Sequence, residues 1–309
     1  MCVSMIDPKP DVRVMALRRF AIAITVLNIL GRTVFGFEQP WSYVVAALAT
    51  TYGMELLLEW LAARDESRPV RYGGGWRCIV DFLLSAHITG LAISMLVYAN
   101  QRIWPIVFAS AVAIGSKTLF RAPHARGERH FLNPSNFGIS VALVLFPAVS
   151  IVPPYHFTEN IYGIADLLIP VIIVISGSFL NIHFTKRLPL ILGWIGGFVL
   201  QAALGTIISG HLFGPALLPM TSVAFTLFTF YMITDPGTTP SKPWHQCLFG
   251  VAVALVYRLL MMANVVFDLF FALSIVCIMR GIWLHYQAWA AKRSSIQIAT
   301  SNLAPRVEA

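Results

Sequence analysis

Long apolar runs fill most of this 309-residue chain, and they constrain its fold more than any other feature. Ten of them approach the roughly 20 residues that an α-helix needs to cross a bilayer. They lie at about 20–36, 41–62, 79–98, 102–119, 136–152, 161–180, 188–209, 212–234, 246–264 and 266–288. Charged residues make up only 12% of the chain, against about 25% in soluble domains. The sequence therefore predicts an all-α polytopic membrane protein with about ten transmembrane helices.

Positive charges between the runs fall almost entirely on one side of this ten-helix arrangement. Eighteen Lys and Arg residues occupy the loops and termini of that side, whereas Arg102 is alone in the loops opposite. The positive-inside rule then places both termini in the cytoplasm. We expect a cytoplasmic segment at 1–19, a transmembrane domain at 20–288 and a cytoplasmic tail at 289–309. The net charge of +8 reflects these loops rather than a nucleic-acid partner.

The ten runs divide into two sets of five, in the halves 1–153 and 160–309. Five helices plus five is an arrangement typical of membrane proteins built from inverted repeats. We therefore predict two inverted five-helix repeats within one domain. The prediction comes from counting, because the two halves do not align by residue identity.

Two polar interruptions, each centred on an Asx-Pro dipeptide, separate apolar runs on the predicted cytoplasmic side. The first, at 115–138, contains Asn133-Pro134, and the second contains Asp235-Pro236. Proline removes a backbone donor and fixes φ, so neither segment continues as a helix. Unwound backbone at membrane depth persists only where it is buried in protein or lines a cavity. A ligand site is therefore expected at these interruptions.

Each interruption allows two interpretations, and chemistry alone favours neither. In the first, Asn133 and Asp235 cap helices by accepting hydrogen bonds from orphan amides. In the second, amides and hydroxyls meet the polar edge of a bound ring, while Lys117 and Arg121 face a phosphate or an anionic reduced cofactor. The candidate cofactor-binding residues are Lys117, Arg121, Asn133, Asn136, Thr234, Asp235, Thr238 and Thr239.

Ionisable residues inside the apolar runs need a reason to be there, because charge is costly in a bilayer. Glu55 and Arg258 lie deepest, and Glu59 shares a helix face with Glu55. The two glutamates form a proton or cation path along the second helix, or Glu55 pairs with Arg258 as a structural clamp. In the structural interpretation, Arg32 likewise pairs with an aspartate near the outer side.

Two further sets of residues also have a structural and a functional interpretation. His87 is either a hydrogen-bonded structural histidine or part of a haem site, although no second histidine faces it at matched depth. The aromatic residues of the eighth run either stack on a flat ring such as a flavin or pack in the core. These are Phe225, Phe228, Phe230 and Tyr231.

The glycines of the seventh run and the four cysteines each have a single interpretation. Gly193, Gly197 and Gly205 form a stripe that predicts close helix–helix packing. The four cysteines lie far apart and form no CxxC pair, so we expect no metal site.

Both interruptions resemble motifs of the RnfD/NqrB family, which comprises membrane subunits of the Rnf ferredoxin:NAD oxidoreductase and the sodium-pumping NADH:quinone oxidoreductase. The first match is SKTLFR…HFLNPSNFG followed by an apolar run that ends in LFP, and the second is TDPGTTP at 234–240. The similarity covers about 105–245. It implies ten helices in two inverted halves with a urea-transporter-like core, in a bacterial inner (plasma) membrane.

One motif of that family is missing from this chain. The family attaches FMN through a threonine in a Ser/Thr-Gly-Ala-Thr motif, whereas here Ser176-Gly177 and Ser209-Gly210 are followed by other residues. The resemblance therefore implies a non-covalent flavin, either FMN or riboflavin. Overall the sequence looks closer to a divergent branch named UnbU, after enediyne biosynthesis clusters.

Two functions follow as expectations from this resemblance. The first is an electron-transport subunit that binds non-covalent flavin or quinone, couples to ion transport and works with separate redox partner subunits. The alternative is a transporter of a small solute, an ion or an enediyne-associated natural product that has lost the redox role.

Overall fold

The computed structural model describes residues 12–124, 127–152, 160–210 and 212–303. Its helices are α1 (Val12–Leu30), α2 (Trp41–Asp65), α3 (Trp76–Leu96), α4 (Trp104–Leu119), α5 (Pro134–Leu145), α6 (Ile164–Leu180), α7 (Leu188–Ser209), α8 (Phe213–Leu217), α9 (Val223–Leu227), α10 (Pro243–Met262) and α11 (Asp268–Leu303). Wider π turns extend α1, α6 and α9, at Gly31–Phe35, Asn181–Thr185 and Phe228–Met232. Two short antiparallel ladders pair β1 (Val97–Tyr98) with β4 (Ser150–Ile151), and β2 (Arg121–His124) with β3 (Gly127–His130).

Seven of the described helices are long and apolar enough to cross a membrane. The count becomes eight if Phe213–Thr221 and Val223–Met232, which meet at a 67° bend, form one broken span. The multi-pass helical membrane class is therefore confirmed at this level. The predicted total of ten membrane-spanning helices is not reached, because α4, with 16 residues, and α5, with 12, are shorter than a full span. At 1.5 Å per residue they measure about 24 Å and 18 Å, against about 30 Å of hydrocarbon.

Helix ends also differ from the predicted limits. The first helix begins at Val12, and the last continues to Leu303, well past the expected boundary at 288. The helix predicted at 136–152 stops at Leu145, after which Phe146 takes an extended conformation and the chain enters β4. Hydropathy locates apolar residues but does not separate a helix from the short extended segment that follows it.

Helix packing is tightest between α7 and α10, where glycines replace larger side chains. A Cβ added at Gly193 would lie 2.3 Å from the carbonyl oxygen of Cys247, and one at Gly250 would lie 2.4 Å from that of Leu190. Such contacts confirm that the predicted stripe serves close approach. At Gly205 the nearest group is instead the guanidinium of Arg258, 3.0 Å away.

Hydrogen bonds and one cation–ring contact hold several helix ends and the β2–β3 ladder together at one end of the bundle. Arg18 of α1 bonds Asp81 of α3 at 2.8 Å, and the guanidinium of Arg19 lies 3.9 Å from the ring centre of Phe184. His285 of α11 contacts the carbonyl oxygen of Arg121 in β2 at 2.9 Å. We call this the hairpin end, after the ladder of β2 and β3 that lies there.

Candidate ligand-binding cavity

The two Asx-Pro interruptions meet at the hairpin end. The Asn133 side chain donates to the carbonyl oxygen of Met232 at 3.0 Å, across 99 residues of sequence. Its own oxygen accepts from the amide of Asn136 at 3.1 Å and so caps α5, with Pro134 at the first helical position. This cap was predicted from the sequence and is confirmed. Asn133 therefore fixes both the start of α5 and the place where the second interruption begins.

Asp235 organises the second interruption by holding its own loop. One carboxylate oxygen accepts from the amide of Gly237 at 2.9 Å, and the other accepts from the Thr238 hydroxyl at 3.1 Å. The hydroxyls of Thr239 and Thr234 donate to the carbonyl oxygens of Asp235 and Phe230, at 2.7 Å and 2.8 Å. All three threonines are buried, and each donates its single hydroxyl proton to an acceptor within the protein. These hydrogen bonds stabilise the non-helical backbone of the second interruption.

Two arginines that are not among the eight sequence-predicted candidates also bind this loop. Arg187 donates to the carbonyl oxygens of Pro240 and Pro236, the latter at 3.3 Å, and Arg280 donates to that of Thr238 at 2.7 Å. A proline-rich loop carries acceptors that no helix satisfies, so external donors were to be expected. An arginine in the apolar run 266–288 was the signal for Arg280.

A cavity of about 440 Å³, which we call the central cavity, opens beside these loops. Its walls are mainly apolar side chains of α1, α3, α9 and its π turn, and the start of α11. At the hairpin end the lining becomes polar. The polar residues there are Arg129, His130, Asn133, Ser135, Thr185, Arg187 and Asp235. Both interruptions therefore line one cavity, whose size lies within the roughly 300–1,000 Å³ of small-molecule sites.

The aromatic residues of the eighth run divide between cavity and core. Phe228 and Tyr231 line the cavity, and Tyr231 also contacts Ser176 through its hydroxyl at 3.0 Å. Phe225 stacks on Trp194, with ring centres 5.5 Å apart, and a Cβ at Gly177 would lie 2.5 Å from Phe230. Two of the four rings are thus placed to contact a ligand, while the other two pack within the protein.

Lys117 and Arg121 lie elsewhere, in a second pocket of about 630 Å³ that we call the charged pocket. Lys117 Nζ contacts the Glu55 carboxylate at 2.7 Å and 2.8 Å. The predicted pairing of Glu55 with Arg258 is therefore wrong, because a lysine on the adjacent α4 supplies the cation. Arg121 donates to the carbonyl oxygen of Glu128 at 3.2 Å. Neither cation lines the central cavity, although Arg129 and His130 line both.

Asn136 also lies away from the lining. Its side-chain nitrogen donates to the carbonyl oxygen of Phe270 at 2.9 Å and to the Ser274 hydroxyl at 2.8 Å, which ties α5 to α11. Of the eight candidates, Asn133 and Asp235 face the central cavity, and the three threonines stiffen its loop. Lys117, Arg121 and Asn136 make other contacts.

Glu59 closes the loop between α2 and α3. Its carboxylate contacts Arg68 at 2.5 Å and accepts from the amide of Arg71 at 2.8 Å. Arg68 also pairs with Glu66, and that hydrogen bond lowers the pKa of the exposed Glu66 carboxyl. The Glu59 carboxylate therefore stabilises the α2–α3 loop through Arg68 and the Arg71 amide.

His87 is hydrogen-bonded on both ring nitrogens. Thr25 donates to the carbonyl oxygen of Ala21 at 2.6 Å, so its oxygen is left to accept from His87 Nε2 at 2.8 Å. Nδ1 then accepts from the Tyr52 hydroxyl at 2.5 Å. The structural interpretation of His87 is confirmed. Among the described residues, no group of three or more His, Cys, Asp or Glu side chains forms a metal site.

Arg32 occupies the end of the bundle opposite the hairpin. It donates to the Asn28 side chain at 2.6 Å and to the carbonyl oxygen of Ser94 at 3.0 Å. In the described part of the chain these neutral groups, and not an aspartate, are the hydrogen-bond acceptors found for it.

No protein-family model matches the chain, and a search of curated proteins finds no match to it. The features that bear on function are therefore the central cavity and the two Asx-Pro motifs that line it.

Proposed function

We propose that this protein is a membrane electron-transport subunit similar to the RnfD/NqrB family, and that its central cavity holds a non-covalent flavin or a quinone. The observation that carries the proposal is the convergence of the two family-like motifs on one cavity. The two motifs lie about 100 residues apart and are joined by the Asn133–Met232 hydrogen bond, and a shared ligand would give both of them a reason to line the same cavity.

The residues present fit a flat, amphiphilic ring. Apolar side chains from α1, α3 and α11 surround its faces, and Phe228 and Tyr231 supply aromatic edges or faces for stacking. Asn133, Asp235 and Arg187 lie where the polar edge of the ring would be recognised. A bound flavin or quinone supplies the electron-accepting chemistry. The protein binds it, orients it and keeps water from the apolar end.

Two observations support a flavin that is bound without a covalent link. Ser176 is engaged, since its hydroxyl donates to the carbonyl oxygen of Ile172 at 2.7 Å and contacts Tyr231. The chain carries no Ser/Thr-Gly-Ala-Thr sequence in which a threonine could form the bond. We therefore propose a flavin that denaturation releases.

We also propose that the two inverted five-helix repeats predicted from the sequence underlie this fold. In support, α1 and α6 each end in a π turn followed by a residue with positive φ, 87° at Gly36 and 53° at Lys186. They run oppositely, because α1 begins at the hairpin end and α6 finishes there. The contacts of α2 with α4 and of α4 with α5 recur as α7 with α10 and α10 with α11. On this scheme the bent α8–α9 segment corresponds to α3.

The hairpin end is proposed to face the cytoplasm, following the positive-inside rule. Separate redox partner subunits would then deliver or accept electrons near the polar end of the central cavity. This orientation places the predicted cytoplasmic termini on the same side as the ligand.

A transporter is the second candidate, and one observation favours it. Arg129 and His130 line both the charged pocket and the central cavity, so the two spaces adjoin at β3. A solute could pass between them if the hairpin moved. This is the function expected if the ligand is transported rather than retained.

An absorption spectrum of the purified full-length protein separates the two candidates. The redox proposal predicts flavin or quinone bands in the native protein, and a flavin that leaves the chain on denaturation. A preparation that carries neither, even after incubation with added flavin or ubiquinone, would remove the redox proposal and favour transport. Flavin fluorescence that stays with the denatured band on a gel would refute non-covalent attachment.

A further inference from the structure

Arg258 has no ion-pair partner among the residues that the structure describes. The carboxylate predicted to neutralise it, that of Glu55, binds Lys117 instead. The Asp268 carboxylate, at the start of α11, accepts from the amide of Leu269 at 2.8 Å. The Arg258 guanidinium also makes no hydrogen bond within the described chain, although Arg258 is partly buried and its nitrogen atoms keep accessible surface. Its donors are therefore available to a group outside the protein.

The Arg258 guanidinium lies over the glycine groove between α7 and α10. A Cβ added at Gly205 would be 3.0 Å from one of its terminal nitrogens, the nearest group there. Gly205 and Arg258 each lie four residues before the end of their helix, about 6 Å along its axis. Both helices are among the seven that are long and apolar enough to span a membrane. The charge therefore lies within the spanning segments, near the end of the bundle opposite the hairpin.

The surface around this guanidinium is apolar and exposed. Next to Gly205 and Arg258 in sequence, or one turn away, are side chains with exposed fractions of 42–79%: Leu204 and Ile208 on α7, and Leu255 and Leu259 on α10. In a spanning segment, such side chains contact lipid tails. A guanidinium among them is costly unless a counter-charge reaches it. In lipid that counter-charge is a headgroup phosphate, which the planar fork of arginine binds through two parallel hydrogen bonds.

We propose that Arg258 and the groove at Gly205 form a binding site for one anionic phospholipid of the phosphatidylglycerol type. The guanidinium binds the headgroup phosphate, and the acyl chains lie along the exposed apolar faces of α7 and α10. The missing side chain at Gly205 leaves room for the guanidinium between the two helices. This site is separate from the central cavity, and it does not depend on what that cavity holds.

Dioleoylphosphatidylglycerol and dioleoylglycerol form a matched pair of probes, because they share both acyl chains and differ in the anionic headgroup. Lipids bound to the purified full-length protein are counted by native mass spectrometry during titration with each. We expect one tightly held phosphatidylglycerol whose affinity falls about ten- to hundredfold in Arg258→Gln, the range of a charge-assisted hydrogen bond. Arg102→Gln removes an exposed arginine from a loop on the predicted outer side and should keep this lipid.

Leu255 offers a second test that leaves Arg258 in place. It lies one helical turn before Arg258 and is 47% exposed. In Leu255→Glu, a carboxylate three residues before the arginine should pair with the guanidinium and displace the phosphate. Leu255→Gln has nearly the same shape without the charge, so it should retain the lipid. This pair keeps the test decisive if Arg258→Gln does not fold.

Three results would overturn the proposal. One is retention of the tightly held phosphatidylglycerol at wild-type affinity in folded Arg258→Gln or Leu255→Glu. Another is its displacement by inorganic phosphate alone, which would assign the guanidinium to a soluble anion. The third is a dimer that Arg258→Gln dissociates, visible in the same spectra, which would assign Arg258 to an interface between copies of the chain.

Discussion

Replacing Gly193 with alanine should weaken the seam between α7 and α10. The added methyl carbon would lie 2.3 Å from the Cys247 carbonyl oxygen, whereas ordinary contact begins at 3.4 Å, so the backbones must part by about 1.1 Å. Overpacking of this kind costs about 1–3 kcal/mol. Alanine also raises helix propensity by up to about 1 kcal/mol, and this partly masks the clash.

Gly196→Ala removes that ambiguity, because a Cβ there meets no neighbouring atom within 4 Å. Both variants gain the same propensity in the same helix, so their difference isolates the clash. We expect Gly193→Ala to be about 1–3 kcal/mol less stable than Gly196→Ala by reversible unfolding in detergent. The seam also positions Trp194, which donates to Thr229 at 2.9 Å beside the cavity-lining Phe228. Equal stability of the two variants would refute the close-packed seam.

Three further outcomes follow from particular contacts. Glu55→Gln and Lys117→Gln should each destabilise the protein without releasing ligand. The double variant should lose about 0.5–3 kcal/mol less stability than the sum of the two single losses; strict additivity would argue against the ion pair. Asn136→Ala should cost about 1–3 kcal/mol by removing the two hydrogen bonds that tie α5 to α11, again with ligand retained. Selective loss of ligand at full stability would instead show that Asn136 contacts the ligand. In intact cells, on a background without native cysteines, an impermeant maleimide should label Arg102→Cys and spare His124→Cys; the reverse pattern would invert the proposed orientation.

Much of the fold could be predicted from the sequence because hydropathy and proline act locally. Every predicted apolar run contains a helix, and the Asn133 cap follows from an Asx-Pro dipeptide that precedes an apolar run. The glycine stripe indicated close packing for the same reason, since small residues at helical spacing leave a groove. The partner of that groove, α10, could not be identified from α7 alone.

The site was only half predictable, because its residues are brought together by tertiary contacts. Asn133 and Asp235 were selected for their local sequence, and both line the central cavity. Lys117 seemed equally suitable, but Glu55 on a neighbouring helix binds it. Arg187 was counted only as a loop charge. Its role depends on carbonyl groups some 50 residues away, which no local pattern reveals.

The central claim, that the central cavity holds the ligand, is tested most directly by filling the cavity. Ala92 is buried on α3 and lines it, whereas the half-buried Ala23 on α1 does not. Each is replaced by tryptophan, and the flavin or quinone that copurifies with the folded protein is quantified by chromatography after denaturation. The account predicts that Ala92→Trp loses the ligand while Ala23→Trp retains it at the wild-type ratio. Full retention in a folded Ala92→Trp variant would contradict it.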